Sequence, residues 1–164
     1  MVDTNNGGAA PATQGQRQVI ISAQYVKDLS FENPRAPHSL LQQQGPPPEV
    51  QINVDVKAGT LAPDIYEVAM TLRADAKQGA DSVFVVELVY GAVVTLANTP
   101  PDDISVALMV ETPRLMFPFA RSILAEVTRD GGFTPLLLNP IDFNEIYARR
   151  AMPPPAPEAG PVTV

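Results

Sequence analysis

Cysteine and tryptophan are absent from this 164-residue chain, and histidine occurs once. Without cysteine there is no disulfide framework, no thiolate zinc site and no cysteine nucleophile. One histidine cannot supply a multi-histidine metal site. Basic residues are scarce: 11 Lys+Arg stand against 18 Asp+Glu, a net charge of −7. Phosphate-backbone binding needs clustered cations, so no nucleic-acid partner is expected. No apolar run approaches the ~20 residues of a membrane-spanning helix, so no direct membrane insertion is expected. Met1 to Gln16 has neither the basic nor the apolar stretch of a signal peptide. The expectation is a soluble, intracellular, acidic protein.

Catalytic motifs are missing as well. There is no Gly-x-Gly-x-x-Gly, no phosphate-cradling Gly-x-x-x-x-Gly-Lys-Ser/Thr loop and no Gly-x-Ser-x-Gly elbow. His38 sits in Pro37-His38-Ser39, in an irregular segment, and reads as a loop histidine rather than a base or ligand. Asp102-Asp103 stands where a helix should start, and there acids favour the macrodipole without any metal. The chain is therefore expected to be no enzyme and to hold no cofactor.

What is plentiful is proline: 18 residues, about twice the usual share. Their placement marks the domain. Residues 1–16 carry no aromatic residue, and residues 151–164 carry five prolines. Neither end can bury enough apolar surface to offset ordering entropy, so both are expected to be disordered tails. Pro46-Pro47-Pro48 reads as a stiff extended connection. The folded unit is then residues 17–150.

Its first half is strand-like. A β-rich run spans Gln18 to Glu32 and stops at Asn33-Pro34-Arg35-Ala36-Pro37. Glu49 to Lys57 alternates cleanly, with Val50, Ile52, Val54 and Val56 on one side. Tyr66 to Lys77 alternates again, and Ser82 to Thr95 is apolar on both faces. The second half is helical. Pro100 to Glu111 has a proline and acid start, and Thr112-Pro113 reads as the N-cap and first position of a further helix. That helix is expected to reach Asp130 and stop at Gly131-Gly132. Leu115, Phe119, Ile123 and Val127, with Met116 and Leu124, form its apolar stripe, and Pro118 should kink or break it. A last helix runs from Ile141 or Asp142 to about Met152.

Four strands followed by helices predict an α+β fold: a four-stranded antiparallel sheet with helices packed on one face. The other face should then be polar, yet Val85, Val89 and Val93 lie on it. Either the fourth strand is central and buried, or a second apolar surface serves assembly or binding. Asp28, Ser30 and Glu32 share one face of the first strand, with Tyr25, Leu29 and Phe31 opposite. Glu87 lies with Val85 on one face of the fourth. If these faces coincide, three acids among valines suit a small basic partner. An ordinary solvated sheet face explains the same pattern.

Beyond these patterns, particular segments resemble a known family. Val26-Lys27-Asp28-Leu29-Ser30-Phe31-Glu32-Asn33-Pro34, then Ala36-Pro37-His38, is similar to the opening strand of the SecB protein-export chaperones. The resemblance to the family continues through Tyr66-Glu67-Val68, Phe117-Pro118-Phe119-Ala120-Arg121, Gly132-Phe133-Thr134-Pro135-Leu136 and Leu138-Asn139-Pro140-Ile141-Asp142-Phe143. The resemblance covers about residues 18–150. It implies a homotetramer, assembled as a dimer of dimers with helices between the dimers. It implies no catalysis, but holding of unfolded precursor proteins and delivery to the SecA motor ATPase. The family's SecA-binding site carries over onto Asp28, Glu32 and Glu87, with Val85 where leucine is common. The partner segment is SecA's C-terminal zinc-binding tail, so zinc belongs to the partner. For the client-binding groove the resemblance points to Leu40, Leu41, Val50, Ile52, Val54 and Ile146, each of which ordinary core packing also explains. Two other classes remain open: a dedicated chaperone for a narrow client such as a toxin–antitoxin pair, and a small-ligand carrier or enzyme.

Overall fold

Alternation at period two dominates residues 18–97, and in the computed structural model this stretch is four long strands. The structure describes residues 15–41 and 45–151. Apart from Gly15, Gln16 and Ala151, the two expected tails lie outside the described residues. The strands are β1 (Gln18–Glu32), β2 (Glu49–Ala62), β3 (Ile65–Gln78) and β4 (Asp81–Ala97). They form one antiparallel sheet in the order β1-β4-β3-β2. β2, β3 and β4 are longer than their alternating cores, because the turns between them are tight. Gly79 takes φ +64° in the β3–β4 turn, and Asp64 takes φ +59° between β2 and β3. A short helix α1 (His38–Leu41) follows β1, where the sequence showed only an irregular segment.

One sheet face is the core. Val68, Met70, Leu72, Ala74 and Ala76 of β3 are fully buried there, beside Phe84, Val86, Leu88, Ala92 and Val94 of β4. Val50, Ile52, Val54 and Val56 of β2 share this face, paired with Ala76, Ala74, Leu72 and Met70. The helices cover it: α2 (Pro101–Val106), a π-helical turn (Ala107–Glu111), α3 (Thr112–Asp130) and α4 (Phe143–Ala151). The α+β arrangement expected from the sequence is therefore present.

Several helical details differ from expectation. Thr112 is not an N-cap. It lies in the right-handed helical region, and α2, the π turn and α3 follow without a break. Its N–H reaches Ala107 O, five residues back, and its hydroxyl donates to the same oxygen at 2.8 Å. Pro113 lacks the N–H that would continue the regular ladder, and the wider turn absorbs the loss. Pro118 does not break α3, which runs through it on the exposed side. The buried stripe is Met116, Phe117, Ala120, Leu124 and Thr128, whereas Leu115 and Phe119 stay more than half exposed. The predicted stop is correct. Gly132 takes φ +89°, Phe133 N–H donates to Thr128 O at 3.1 Å, and Gly132 N–H donates to Arg129 O at 2.9 Å. These two bonds close a Schellman turn around a residue only glycine fits easily.

Candidate functional site

The sheet face away from the helices gathers the acidic residues. Register pairs Ser30 with Glu87, Glu32 with Val85 and Asp28 with Val89. Antiparallel partners share a face, so Asp28, Glu32, Val85 and Glu87 come together on the open side. Asp28 and Glu32 lie about 13 Å apart along β1, with Glu87 across from the residue between them. Among the described residues no three His, Cys, Asp or Glu side chains are grouped to hold a metal ion. Val85, Val89 and Val93 on this face are half-buried.

Tyr25 was expected on the opposite face, and the structure corrects this. Register shifts between Val26 and Asp28, so Lys27 is an extra residue in a β-bulge. The bulge returns Tyr25, paired with Gly91, to the same face as Asp28. Its ring lies flat over β4, where a Cβ on Gly91 would sit 2.6 Å from Tyr25 Cε2 and Cζ. Past that glycine Tyr25 reaches β3, donating its hydroxyl to Glu67 Oε1 at 2.5 Å. Lys27 Nζ donates to both Glu67 oxygens, at 2.8 and 3.0 Å. One carboxylate thus clamps both sides of the bulge that orients Asp28.

The clamp has a pH signature. Donation to Glu67, then burial and the carboxylate's charge, push the Tyr25 phenol up to about 12. Hydrogen bonds from Lys27 and then Tyr25 hold the Glu67 carboxyl below its ordinary value. A raised phenol pKa favours the folded state below pH ~10, and this contribution fades as pH rises toward 12. Glu67 works in the other direction: its contribution is present above the ordinary carboxylate range and is lost in acid. Tyr25→Phe is therefore expected to flatten the loss of stability between about pH 10 and 12. Denaturation midpoints across that window check this; parallel curves for both proteins would contradict it.

Arg73 enters the acidic face from β3, opposite Glu87. Its Nε and Nη2 donate to Asp75 at 2.9 and 3.1 Å, and its Nη1 donates to Glu87 Oε2 at 3.2 Å. Asp75 first and Glu87 second raise the Arg73 pKa. Nothing in the alternation singled this residue out; only the β3–β4 register brings it to Glu87.

On the helix side, a groove of ≈ 450 Å³ opens at the end of the sheet. Pro47, Pro48, Val50, Phe84, Phe133 and Leu136 line it. Phe84 stacks on Phe31 at 5.8 Å between ring centroids and meets Phe133 at 5.0 Å. The loop wall is tied to α3 by Thr128, whose buried hydroxyl donates to Leu124 O and accepts from Leu136 N–H at 2.9 Å. Of the six expected groove residues, Val50 alone lines this cavity. Leu40 is half-buried next to Gly132, and Leu41 is 78% exposed. Val54 and Ile146 pack against the core, and Ile52 is partly exposed on edge strand β2. Phe84 and Phe133 were missed because a β-strand core position and a loop aromatic carry no sign of a shared cavity. The proline triplet was the usable signal: it cannot join a sheet and so walls a gap beside one.

A SecB family model, described as "Preprotein translocase subunit SecB", matches residues 12–153. A protein-export protein SecB of a Bradyrhizobium species is 49% identical over 144 residues, 88% of each chain. One from Paramagnetospirillum magneticum is 49% identical over 134 residues, 82% of this chain and 86% of its own. This chain belongs to the SecB family. SecB proteins are protein-export chaperones that bind unfolded clients, and the family is not one of enzymes. The SecB-like fold also appears in a Mycobacterium tuberculosis SecB-like chaperone solved in complex with a ChAD peptide from an antitoxin. That structure has a TM-score of 0.62 at 12% identity, covering 75% of this chain and 90% of its own, a likeness of fold alone. No described helix is long and apolar enough to cross a membrane.

Proposed function

We propose that this SecB-family chain is a cytoplasmic holdase that binds unfolded precursor proteins, keeps them competent for translocation and hands them to SecA. The working unit is residues 17–150, acting as a homotetramer, a dimer of dimers. The observation that carries the reading is the apolar groove beside the sheet, in a chain from a protein-export chaperone family. Folded clients have buried their apolar segments, so such a groove selects unfolded chains by what they expose. Buried apolar area returns roughly 25 cal/mol per Å², so several segments held together give useful affinity. Four linked grooves raise it further through effective concentration. Holding the unfolded form depresses folding by mass action, which needs no nucleotide or other cofactor.

Exposed Leu115 and Phe119 on α3 support a helix-mediated contact between dimers. The client surface would centre on Val50, Phe84 and Phe133, with Leu40, Leu41, Ile52, Val54 and Ile146 flanking it. Asp28, Glu32, Val85 and Glu87 would receive the basic, zinc-binding C-terminal tail of SecA, on the sheet face opposite the groove. This separation lets client and SecA bind together. Purified protein in tetramer excess is expected to slow refolding of an export precursor severalfold. Refolding at an unchanged rate would end the holdase reading. A native mass other than four chains would end the tetramer.

A further inference from the structure

We propose that Arg73 is a built-in competitor for the acidic face, occupying Glu87 in the free chain and moving wholly onto Asp75 when a cationic partner docks. The proposal rests on the reading of Asp28, Glu32, Val85 and Glu87 as the docking surface. Glu87 is already engaged, through Arg73 Nη1 at 3.2 Å. Asp28 and Glu32 have no ion-pair partner among the described residues. The surface therefore offers two open carboxylates and one that is taken.

The geometry makes the exchange one-directional. Asp75 holds the guanidinium by its side, through Nε and Nη2 at 2.9 and 3.1 Å. Glu87 holds it by one longer bond. Paired donors from a rigid fork bind more firmly than a single donor. Asp75 is also the better covered of the two carboxylates, at 22% side-chain exposure against 34% for Glu87. A lysine or arginine arriving at Glu87 thus breaks the weaker contact and leaves Arg73 anchored. Arginine stays charged at any working pH, so Arg73 does not release Glu87 by losing its proton. A partner with a single cation can settle at Asp28 or Glu32. One that uses Glu87 as well must outcompete Arg73, which selects for densely basic segments and keeps docking reversible.

The test is titration of purified SecA against the full-length protein at low salt, with Arg73→Gln, Asp75→Asn and the double variant. Arg73→Gln is expected to tighten binding about threefold, the scale of an exposed ion pair. Asp75→Asn is expected to weaken it about threefold, because Arg73 then rests on Glu87 alone. In the Arg73→Gln background, Asp75→Asn is expected to change nothing. Lys57→Gln alters net charge equally on the same face, away from Glu87, and is expected to leave affinity at the parent value. The competitor role is overturned if Arg73→Gln and Lys57→Gln tighten binding alike. It is also overturned if Asp75→Asn weakens both backgrounds by one factor, since simple charge effects add. Glu87→Gln separates the two layers. Weaker binding there with no gain in Arg73→Gln rejects the competitor and keeps the docking surface. Unchanged binding in Glu87→Gln rejects the surface, and the competitor with it.

Discussion

Phe84→Ala is expected to cost about 4 kcal/mol of unfolding free energy. Phe84 is 3% exposed in central strand β4, stacked on Phe31 and in contact with Phe133. Removing its ring deletes one corner of a three-ring cluster, and the sheet backbone cannot collapse into the space. The loss combines the transfer free energy of the ring with a cavity cost. Urea denaturation at equal protein concentration measures it. A loss below about 1 kcal/mol would mean the groove wall is soft and Phe84 is no core residue. Since alanine endangers the fold, Phe84→Leu is the variant for function. It keeps most of the buried volume, yet removes the flat wall of the ≈ 450 Å³ groove. Client affinity is expected to fall with Phe84→Leu while SecA affinity holds.

Charge reversal acts on the other face. Glu87→Lys is expected to weaken SecA binding at least about tenfold and to leave refolding delay intact. The substitution removes an attractive carboxylate and sets a lysine beside Arg73, so two like charges meet an incoming cation. Glu87 lies on the open face, away from the buried packing of β4, so the fold should tolerate it. The wild-type affinity is expected to fall steadily as salt rises, because exposed charges are screened within about 10 Å at 0.1 M. An affinity flat across salt would point to an apolar dock through Val85 and Val89. Equal loss of client and SecA binding would merge the two surfaces into one.

How much of this was legible beforehand varies along the chain. Period-two alternation in Glu49–Lys57 and Tyr66–Lys77 is a local property, and both segments are strands. The helix stop at Gly131-Gly132 is equally local. The faces of β1 were misread at Tyr25 alone, because one extra residue inverts the pleat and nothing in Tyr25-Val26-Lys27-Asp28 shows where it falls. Thr112-Pro113 has the look of a helix start, yet an upstream helix already feeds into it, through a π turn at Ala107–Glu111 where a cap was expected. Leu115 and Phe119 sit at helical spacing, but the sheet meets the Met116–Leu124 side of α3.

The sequence by itself determined that the chain does no cysteine or multi-histidine chemistry, that it builds four strands before its helices, and that it belongs with the SecB chaperones. These follow from composition, from periodicity within single segments and from short motifs. Only the tertiary structure decided which residues meet. Strand order β1-β4-β3-β2 sets Arg73 against Glu87, fourteen residues away, and the bulge at Lys27 turns Tyr25 over Gly91 toward Glu67. The aromatic cluster beside the groove joins Phe31, Phe84 and Phe133 from three distant segments. Such contacts depend on register between strands and on what each face packs against, which no single stretch of sequence encodes.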